Sequence, residues 1–248
     1  VTRHSKGHRF QWIVQSKNEA RRKDNKFKII ETKELEKLPL KDHSFIFHVP
    51  NIEPIDFKNN NILPIDPYTL GVWLGDGKSD GPTLCGSPAD LRKIAKNIPY
   101  KHSSETVQKD TGVLYRSYGY TDFARGLSSL KLRNNKHIPD IYKYNSFKNR
   151  CAVIAGLIDT DGSVNQEERE HGWKNGRIYI TNTNKILIDD IEEVVRSLGV
   201  RNVSIVCVPA HLSSSGISGK QDVYYLGFSP TVNFPTVLPR KKITARNT

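Results

Sequence analysis

Two short apolar segments of the chain follow the same pattern of hydrophobic and polar positions. Residues 68–77 and 153–162 are apolar runs with small residues at helical spacing, and both end in Asp-Gly. The two terminal acids, Asp76 and Asp161, lie 85 positions apart. A repeat of that length is the size of a small domain. The pattern therefore predicts a pseudo-dimer within one polypeptide.

Each apolar run carries the start and stop signals of a helix. Asp66 with Pro67 is a cap followed by a first-turn proline, and Ser146 can cap the second run. Gly77 and Gly162 follow the two acids, and glycine tolerates the positive φ at which many helices end. The sequence therefore predicts two similar helices that each end at an acid.

Small residues within the two runs predict that these helices pack closely. Gly71 and Gly75 in the first run, and Ala155 and Gly156 in the second, remove side-chain bulk from one face. Close packing would bring the C-terminal acids to one place, where the negative end of each helix dipole disfavours a carboxylate. We therefore expect a cation to offset the two acids.

The segments after each run alternate as expected for an α+β fold with antiparallel strands. Each half is predicted to follow the order α-β-β-α-β-β-α, in which the first strand of the first half lies just after Gly77. The predicted strands are 83–86, 106–109, 113–118, 163–166, 177–181, 203–208 and 223–228, and the predicted helices are 87–96, 121–132 capped by Thr121, 183–199 capped by Thr183, and a short helix before Leu238.

These patterns divide the chain into three regions. Residues 1–60 form an N-terminal β-rich extension, with a hairpin in 1–17, a charged turn in 18–26 and a strand that runs into a brief helix after residue 26. Residues 61–145 and 146–248 are the two repeats. The basic residues of the extension either contact phosphates or form a solvated loop, and their pattern favours neither. They are Arg3, Lys6, Arg9, Lys17, Arg21, Arg22 and Lys23.

Composition agrees with a nucleic-acid partner. Thirty-eight Lys and Arg against 26 Asp and Glu give the 248-residue chain a net charge of +12 and a pI near 9.5. The hydrophobic content of 36% is enough for a real core, and no stretch approaches a membrane span or a secretory leader. Three scattered cysteines predict neither a zinc site nor a disulfide framework and fit an intracellular setting. The absence of methionine suggests a chain trimmed or excised from a longer one.

The second run resembles a known family signature. Residues 153–164, VIAGLIDTDGSV, resemble the signature of the LAGLIDADG homing endonucleases, and residues 70–80, LGVWLGDGKSD, resemble the first motif of their two-repeat, intein-associated members. The first motif departs from the signature at Leu74, where the family has its earlier acid. The resemblance implies a monomeric pseudo-two-fold fold whose antiparallel sheets form a saddle for DNA.

The resemblance also implies an active site. The last acid of each motif is the catalytic carboxylate, which falls on Asp76 and Asp161, and the residues before them, Gly75 and Thr160, are implied to share in binding metal. Asp159, the earlier acid, is not expected to bind metal. Carboxylate, water and phosphate oxygens suit Mg²⁺, with Mn²⁺ as a substitute.

The same resemblance implies one basic residue for each half-site, by which we mean the catalytic acid and lysine of one repeat. Lys136, in NKHIP, closes the first repeat, and the PRKKI segment closes the second. The register leaves Lys241 and Lys242 as alternatives for the second lysine.

Strand alternation suggests which side chains face DNA, because polar side chains on one face of a sheet can enter the major groove. A register error of one residue would exchange the set. Tyr144, Trp173 and Tyr224 are interpreted as packing residues. The candidate DNA-binding residues are Ser79, Thr83, Gln108, Tyr115, Ser117, Ser163, Asn165, Arg177, Tyr179, Thr181 and Arg240.

The sequence thus predicts a site-specific endonuclease that cuts both strands of a long DNA site. A maturase-like RNA splicing cofactor and a DNA-binding protein that cleaves nothing remain as alternatives. The short match of Val1-Thr2 and residues 7–10 to the flank of an intein is weak. Protein splicing is not expected, because Val1 stands where a Cys or Ser nucleophile is needed and Arg246 precedes Asn247 where a His is needed.

Overall fold

The computed structural model describes residues 53–59, 61–119, 121–168, 174–210 and 221–245, together with three strands of an N-terminal unit. The chain divides into two compact units, residues 1–52 and residues 53–248. The basic residues of the N-terminal extension, its predicted brief helix, Trp173 and residues 246–248 lie outside the described residues.

The N-terminal unit contains an antiparallel sheet in the order β2-β1-β3. Its strands are β1 (Gln11–Ser16), β2 (Lys28–Glu31) and β3 (Phe47–His48). Gln11 pairs with Glu31 and Val14 with Lys28. The strand predicted after residue 26 is therefore confirmed, and it pairs with β1. The rest of the hairpin predicted in residues 1–17 lies outside the described residues.

The first half of the larger unit, residues 61–145, contains a three-stranded antiparallel sheet in the order β4-β6-β5. Its elements are α1 (Pro67–Asp76), β4 (Thr83–Gly86), α2 (Pro88–Ala95), β5 (Ser104–Val107), β6 (Leu114–Ser117), α3 (Asp122–Ser129) and α4 (Asp140–Lys143).

The second half, residues 146–248, contains a four-stranded antiparallel sheet in the order β7-β8-β10-β9. Its elements are α5 (Phe147–Thr160), β7 (Gly162–Glu168), β8 (Lys174–Asn182), α6 (Lys185–Ser197), β9 (Arg201–Val208), β10 (Val223–Ser229) and a 3₁₀ helix (Pro239–Lys241). Helices with two antiparallel sheets confirm the α+β prediction and the two similar halves.

Four local predictions are wrong. The strand expected after Gly77 is a single bridge to Leu84, because the chain turns back at once to form β4. The cap of α6 is Asn184, whose side chain accepts from the Leu187 N–H, and not Thr183. The strand predicted at 106–109 begins two residues earlier, and the helix predicted before Leu238 is replaced by the 3₁₀ turn that follows it.

The glycines after the two acids serve close packing and not a positive φ. Gly77 has φ −80°, and Gly162 is not among the glycines with positive φ. A Cβ at Gly77 would meet the Trp73 side chain at 2.3 Å, and a Cβ at Gly162 would meet Ile158 Cα at 2.6 Å. The predicted reason for these glycines is therefore wrong, although both helices end where expected.

Helices α1 and α5 pack backbone to backbone, as their small residues predicted. A Cβ at Gly71 would lie 2.0 Å from Val153 O, and a Cβ at Gly156 would lie 2.4 Å from Tyr68 O. The apolar side chains of both halves join in one buried cluster around this crossing. The close approach brings the C-terminal ends of the two helices together.

Candidate active site

The two motif acids lie at adjacent helix ends. Asp76 is the last residue of α1, and Asp161 is the C-cap of α5. A Cβ built on Gly75 would lie only 3.3 Å from the carboxyl carbon of Asp161. The second acid therefore sits beside the residue that precedes the first, so both carboxylates share one site.

Burial makes both acids reluctant to ionise. The pKa of Asp76 is raised to about 6, first by desolvation and second by the charge of Asp161, against the lowering effect of Lys136 and Lys241. Desolvation also raises the pKa of Asp161, against a hydrogen bond from Asn182 and the charges of the same two lysines. Two partly buried carboxylates in one site favour a shared cation over two free charges.

The two acids differ in the donor that faces each carboxylate. Asn182 Nδ2 donates to Asp161 Oδ2 at 3.0 Å from the end of β8. Sheet registers make Gly86 the counterpart of Asn182, because Gly162 pairs with Ile180 as Gly77 bridges to Leu84. A Cβ on Gly86 would lie 3.5 Å from Asp76 Oδ2. In the first half a glycine therefore replaces the amide donor.

Lys136 covers the end of α1. Its Nζ donates to Leu74 O at 3.0 Å, Gly75 O at 3.1 Å and Gly77 O at 2.7 Å, and it lies 5.2 Å from the centroid of the Trp73 ring. Burial lowers the pKa of this lysine, against the charges of Asp161, Cys85 and Asp76. The ammonium thus neutralises the negative end of the helix dipole next to the acids.

Lys241 holds the equivalent position in the second half. Its Nζ donates to Gly162 O, as Lys136 does to Gly77 O, and the residue is buried. Lys242 is exposed. Of the two alternatives left by the sequence, Lys241 is thus the geometric counterpart of Lys136.

Asp159 lies in the core, away from solvent. It is 2% exposed, and its carboxylate accepts from Tyr68 OH at 2.7 Å, Val237 N at 2.7 Å and Leu238 N at 3.1 Å. These bonds fix the segment that leads to Lys241. Leu74, the residue at the matching position of the first motif, is fully buried.

The donors around the acids suit a hard divalent cation. Two carboxylates and main-chain carbonyls are oxygen ligands of the kind that Mg²⁺ and Ca²⁺ prefer. The Thr160 hydroxyl bonds back to Gly156 O and Leu157 O, which leaves its carbonyl as the available donor. Among the described residues no three His, Cys, Asp or Glu side chains cluster as metal ligands. A metal held here would therefore need carbonyl, water or phosphate oxygens besides the two acids.

The candidate DNA-binding residues of the second half share one sheet face. Ile178 and Ile180 of β8 are buried, whereas Arg177, Tyr179 and Thr181 alternate with them on the other face. Across the β7–β8 ladder, Ser163 is paired with Tyr179 and Asn165 with Arg177. Arg177 also donates to Ser204 Oγ at 2.7 Å.

Three of the first half, Thr83, Tyr115 and Ser117, also share a sheet face, opposite the buried Leu84 and Leu114. Thr83 Oγ1 lies 2.9 Å from Ser117 Oγ, and Tyr115 OH donates to Gln108 Oε1 at 3.2 Å. Ser79 is exposed in the turn after α1, and its carbonyl accepts from Asn134 N. The last candidate, Arg240, is bound to Asp90 on α2 at 2.6 Å.

The remaining aromatic predictions concern packing. Tyr144 packs edge-on against Phe57 with ring centroids 5.5 Å apart and donates to Glu193 at 2.7 Å. Tyr224 is half-buried, and Lys185 Nζ lies 5.9 Å from its ring centroid. Both therefore have packing partners within the protein.

Three residues near the acids were missed by the sequence reasoning. Asn182 contacts Asp161, and Asn184 donates to the Lys136 carbonyl at 2.7 Å. Cys85 Sγ donates to Asp76 O at 3.0 Å. The only sequence signal was the pair Asn182 and Asn184 between a predicted strand and a predicted helix. Such a pair indicates a helix cap but does not predict the bond from Asn184 to Lys136.

A cavity of about 610 Å³ lies beside β8 and is lined by Gly176, Phe234 and Lys242 among others, but by neither acid. No helix within the described ranges has the length and apolar character to cross a bilayer. Cys85, Cys151 and Cys207 are all free.

Comparisons with known proteins agree with the second motif. Residues 148–203 match the model of the LAGLIDADG-like domain family. The replicative DNA helicase DnaB of Mycobacterium intracellulare is 32% identical over 164 residues, which are 66% of this chain and 24% of that protein. The chain thus spans about a quarter of the length of this curated relative.

Two solved structures are similar at low identity. I-DmoI in complex with DNA and Ca is 18% identical, with 72% of this chain and 95% of that chain covered and a TM-score of 0.40. The N-terminal LAGLIDADG domain of DUF199/WhiA is 11% identical, with 67% and 78% covered and a TM-score of 0.37. The matched residues contain most of α5, strands β7 and β8 and helix α6, and the chain therefore contains a LAGLIDADG-like domain at residues 148–203.

Proposed function

We propose that the protein is a site-specific, double-strand DNA endonuclease that works as a monomer with a divalent metal. The observation that carries the proposal is the pair of acids at adjacent helix ends, each next to a lysine that donates to the carbonyl of the glycine after the acid. The repeated site supplies one reaction centre for each strand of a duplex. Because the proposed substrate is DNA, we also propose that the protein acts inside the cell.

Asp76 and Asp161 would hold the metal, with the carbonyls of Gly75 and Thr160 as further oxygen donors. When bound, Mg²⁺ or Mn²⁺ polarises the scissile phosphate and stabilises the leaving 3′ oxygen. The two acids would provide the negative charge that retains the cation. Lys136 and Lys241 place an ammonium near the charge that develops on the phosphate. Lys242, being exposed, is proposed to contact DNA instead.

The DNA would lie across the polar faces of the two sheets. Both faces carry alternating polar side chains opposite a buried apolar face, which suits base contacts in the major groove. Two sheets side by side would read a long site. The net charge of +12 favours the polyanion and predicts strong salt dependence, with a slope of about −0.9 per phosphate neutralised in log affinity against log salt.

The test is selection from a library of duplex DNA in Mg²⁺, with sequencing of the ends produced. We expect a defined set of cut sites, binding without cutting in Ca²⁺, and no cutting in EDTA, since Ca²⁺ occupies carboxylate sites with looser geometry. Cutting that continues in EDTA would refute the metal-dependent mechanism.

Two other outcomes correspond to the alternative functions. Selective binding of duplex DNA without cutting in Mg²⁺ or Mn²⁺ indicates a DNA-binding protein that does not cleave. Preference for structured RNA over every duplex indicates a maturase-like role. Either result would replace the endonuclease proposal.

A further inference from the structure

The loop that carries Lys136 belongs to the first half, but a helix of the second half holds it. Asn184 Nδ2 donates to Lys136 O at 2.7 Å, and Asp190 Oδ2 accepts from Ile138 N at 2.8 Å. Asn184 caps α6, and Asp190 lies within it. The loop is therefore fixed by its main chain on both sides of His137.

Capping alone does not account for Asn184. Its Oδ1 accepts from Leu187 N at 3.2 Å, which is the ordinary cap bond, whereas the amide nitrogen makes the separate bond to Lys136. The backbone of Asn184 is itself held, because its N–H donates to Asn182 Oδ1 at 2.9 Å. Asn182 is the residue that contacts Asp161, so one run of hydrogen bonds links an acid of the second half to the lysine of the first.

The Asp190 contact is also built into the protein. Asp190 Oδ1 accepts from Lys143 Nζ at 3.1 Å, and both side chains are 13% exposed. The lysine compensates the charge of a largely buried carboxylate, which leaves Oδ2 to the Ile138 N–H. Helix α6 thus presents two fixed partners to one short loop.

We propose that Asn184 and Asp190 are positioning residues for Lys136, so that the second half completes the half-site of the first. The inference rests on the proposed catalytic role of Lys136. Three carbonyls within 3.1 Å define the place of the Lys136 ammonium. A shift of its main chain by about 1 Å would lengthen these bonds beyond hydrogen-bonding range.

Lys241 supplies an internal reference, because other residues hold it. Asp159 fixes the main chain at Val237 and Leu238, and Arg240 is bound to Asp90 on α2. Loosening the contacts of α6 should therefore free Lys136 and leave Lys241 in place.

The first experiment measures lysine reactivity in the metal-free, DNA-free protein. Competitive acetylation with acetic anhydride, read by mass spectrometry, compares Lys136 with Lys241 in wild type and in Asn184→Ser, which keeps the capping oxygen but is too short to reach Lys136. We expect Lys136 to react roughly fivefold faster, since a net hydrogen bond of about 1 kcal/mol is lost, while Lys241 is unchanged. Ser146→Asn changes the cap of α5 at its far end and should alter neither lysine.

The Asp190 pair of variants keeps the test independent of Asn184. Asp190→Ala removes both acceptors and should raise the reactivity of Lys136, whereas Asp190→Asn keeps an oxygen for Ile138 N and should restore part of the protection. Unchanged Lys136 reactivity in both Asn184→Ser and Asp190→Ala, at unchanged melting temperature, would overturn the proposal.

The second experiment uses a cleavable duplex found by library selection. In Asn184→Ser, single-turnover cleavage in Mg²⁺ should fall at least roughly tenfold, while affinity in Ca²⁺ is unchanged, because misplacing a catalytic group costs rate and not binding. An equal loss of affinity and rate would indicate a structural role and count against positioning. If wild type cuts no duplex, the proposed nuclease fails, but the acetylation result still decides whether α6 positions Lys136.

Discussion

Each half-site has a helix that ends at an acid and a lysine beside that end, but the two half-sites differ in the residues around the acid. Asp161 receives a hydrogen bond from Asn182, whereas Asp76 faces Gly86, which has no side chain to donate. Both carboxyls have a raised pKa, chiefly because both are partly buried and thereby desolvated. The repeat therefore builds the site twice, but the hydrogen bond that lowers the pKa of Asp161 has no counterpart at Asp76.

The two lysines show a second difference. Asp159 accepts hydrogen bonds from the backbone of the segment before Lys241. The matching position of the first motif is the buried Leu74, whose side chain cannot accept a hydrogen bond. The loop of Lys136 is instead tied to α6. An acid of the same half thus holds the segment of Lys241, whereas contacts from the other half hold the loop of Lys136.

The largest expected effect tests what the half-sites share. Asp76→Asn and Asp161→Asn keep the side-chain volume but remove the charge that would hold metal. We expect each to lower double-strand cleavage by about three orders of magnitude or more, since metal stabilisation of the phosphate is worth several kcal/mol. Strand-labelled duplex in Mg²⁺ measures the loss, and affinity in Ca²⁺ should stay within about tenfold.

Asp80→Asn is the matched control, because it removes an exposed acid in the turn after α1. It should cut at the wild-type rate. A folded Asp161→Asn protein that cuts both strands as fast as wild type would show that the active site lies elsewhere.

Asp159→Asn tests the difference between the lysine segments. An amide offers one oxygen to the three donors that now converge on the carboxylate, and its NH₂ would face a backbone N–H. We expect a loss of roughly 2 to 3 kcal/mol in the free energy of unfolding, measured with urea, because a buried donor is left unpaired. Acetylation should also show Lys241 more reactive and Lys136 unchanged. Stability equal to wild type would contradict this account.

The pH dependence of stability tests the burial of Asp76. Because its folded pKa is raised from 3.8 to about 6, the folded state keeps this proton more tightly, so stability is present below pH 3.8 and is lost as pH rises through 6. The full change corresponds to roughly 3 kcal/mol, of which about 1 kcal/mol falls between pH 5 and 7. Urea unfolding in EDTA should show a larger loss in wild type than in Asp76→Asn, in which only the raised pKa of Asp161 still contributes. Parallel pH curves for the two proteins would be evidence against it.

The smallest expected effect comes from exchanging the residues that distinguish the acids. Gly86→Asn has room for a Cβ 3.5 Å from Asp76 Oδ2 and should supply the missing donor. We expect the pKa of Asp76 to fall by about one unit, or roughly 1.4 kcal/mol, and the pKa of Asp161 to rise in Asn182→Gly. Carboxyl ¹³C NMR titration of the metal-free protein measures both. An unmoved Asp76 would mean that the glycine is not the cause of the difference.

The sequence by itself determined the helices, most strands and the meeting of the two acids. Gly71 and Gly156 leave no choice about where α1 and α5 can touch, and the position of Asp76 and Asp161 at the helix ends follows from that contact. Alternation along β8 also placed Arg177, Tyr179 and Thr181 on one face correctly. These features depend on neighbours along the chain or on a repeated motif, so local pattern is sufficient.

Only the tertiary structure identified Lys241, and not Lys242, as the geometric counterpart of Lys136. Two consecutive lysines look the same in the sequence, although their side chains point in different directions. It also determined the hydrogen-bond partners of Asp159, Asn182 and Asn184, because these partners lie up to 91 positions away in the chain. Hydrogen bonds across such distances depend on how the two halves pack. The repeated motif therefore predicts the acids, whereas the packing of the halves determines how each acid and lysine is held.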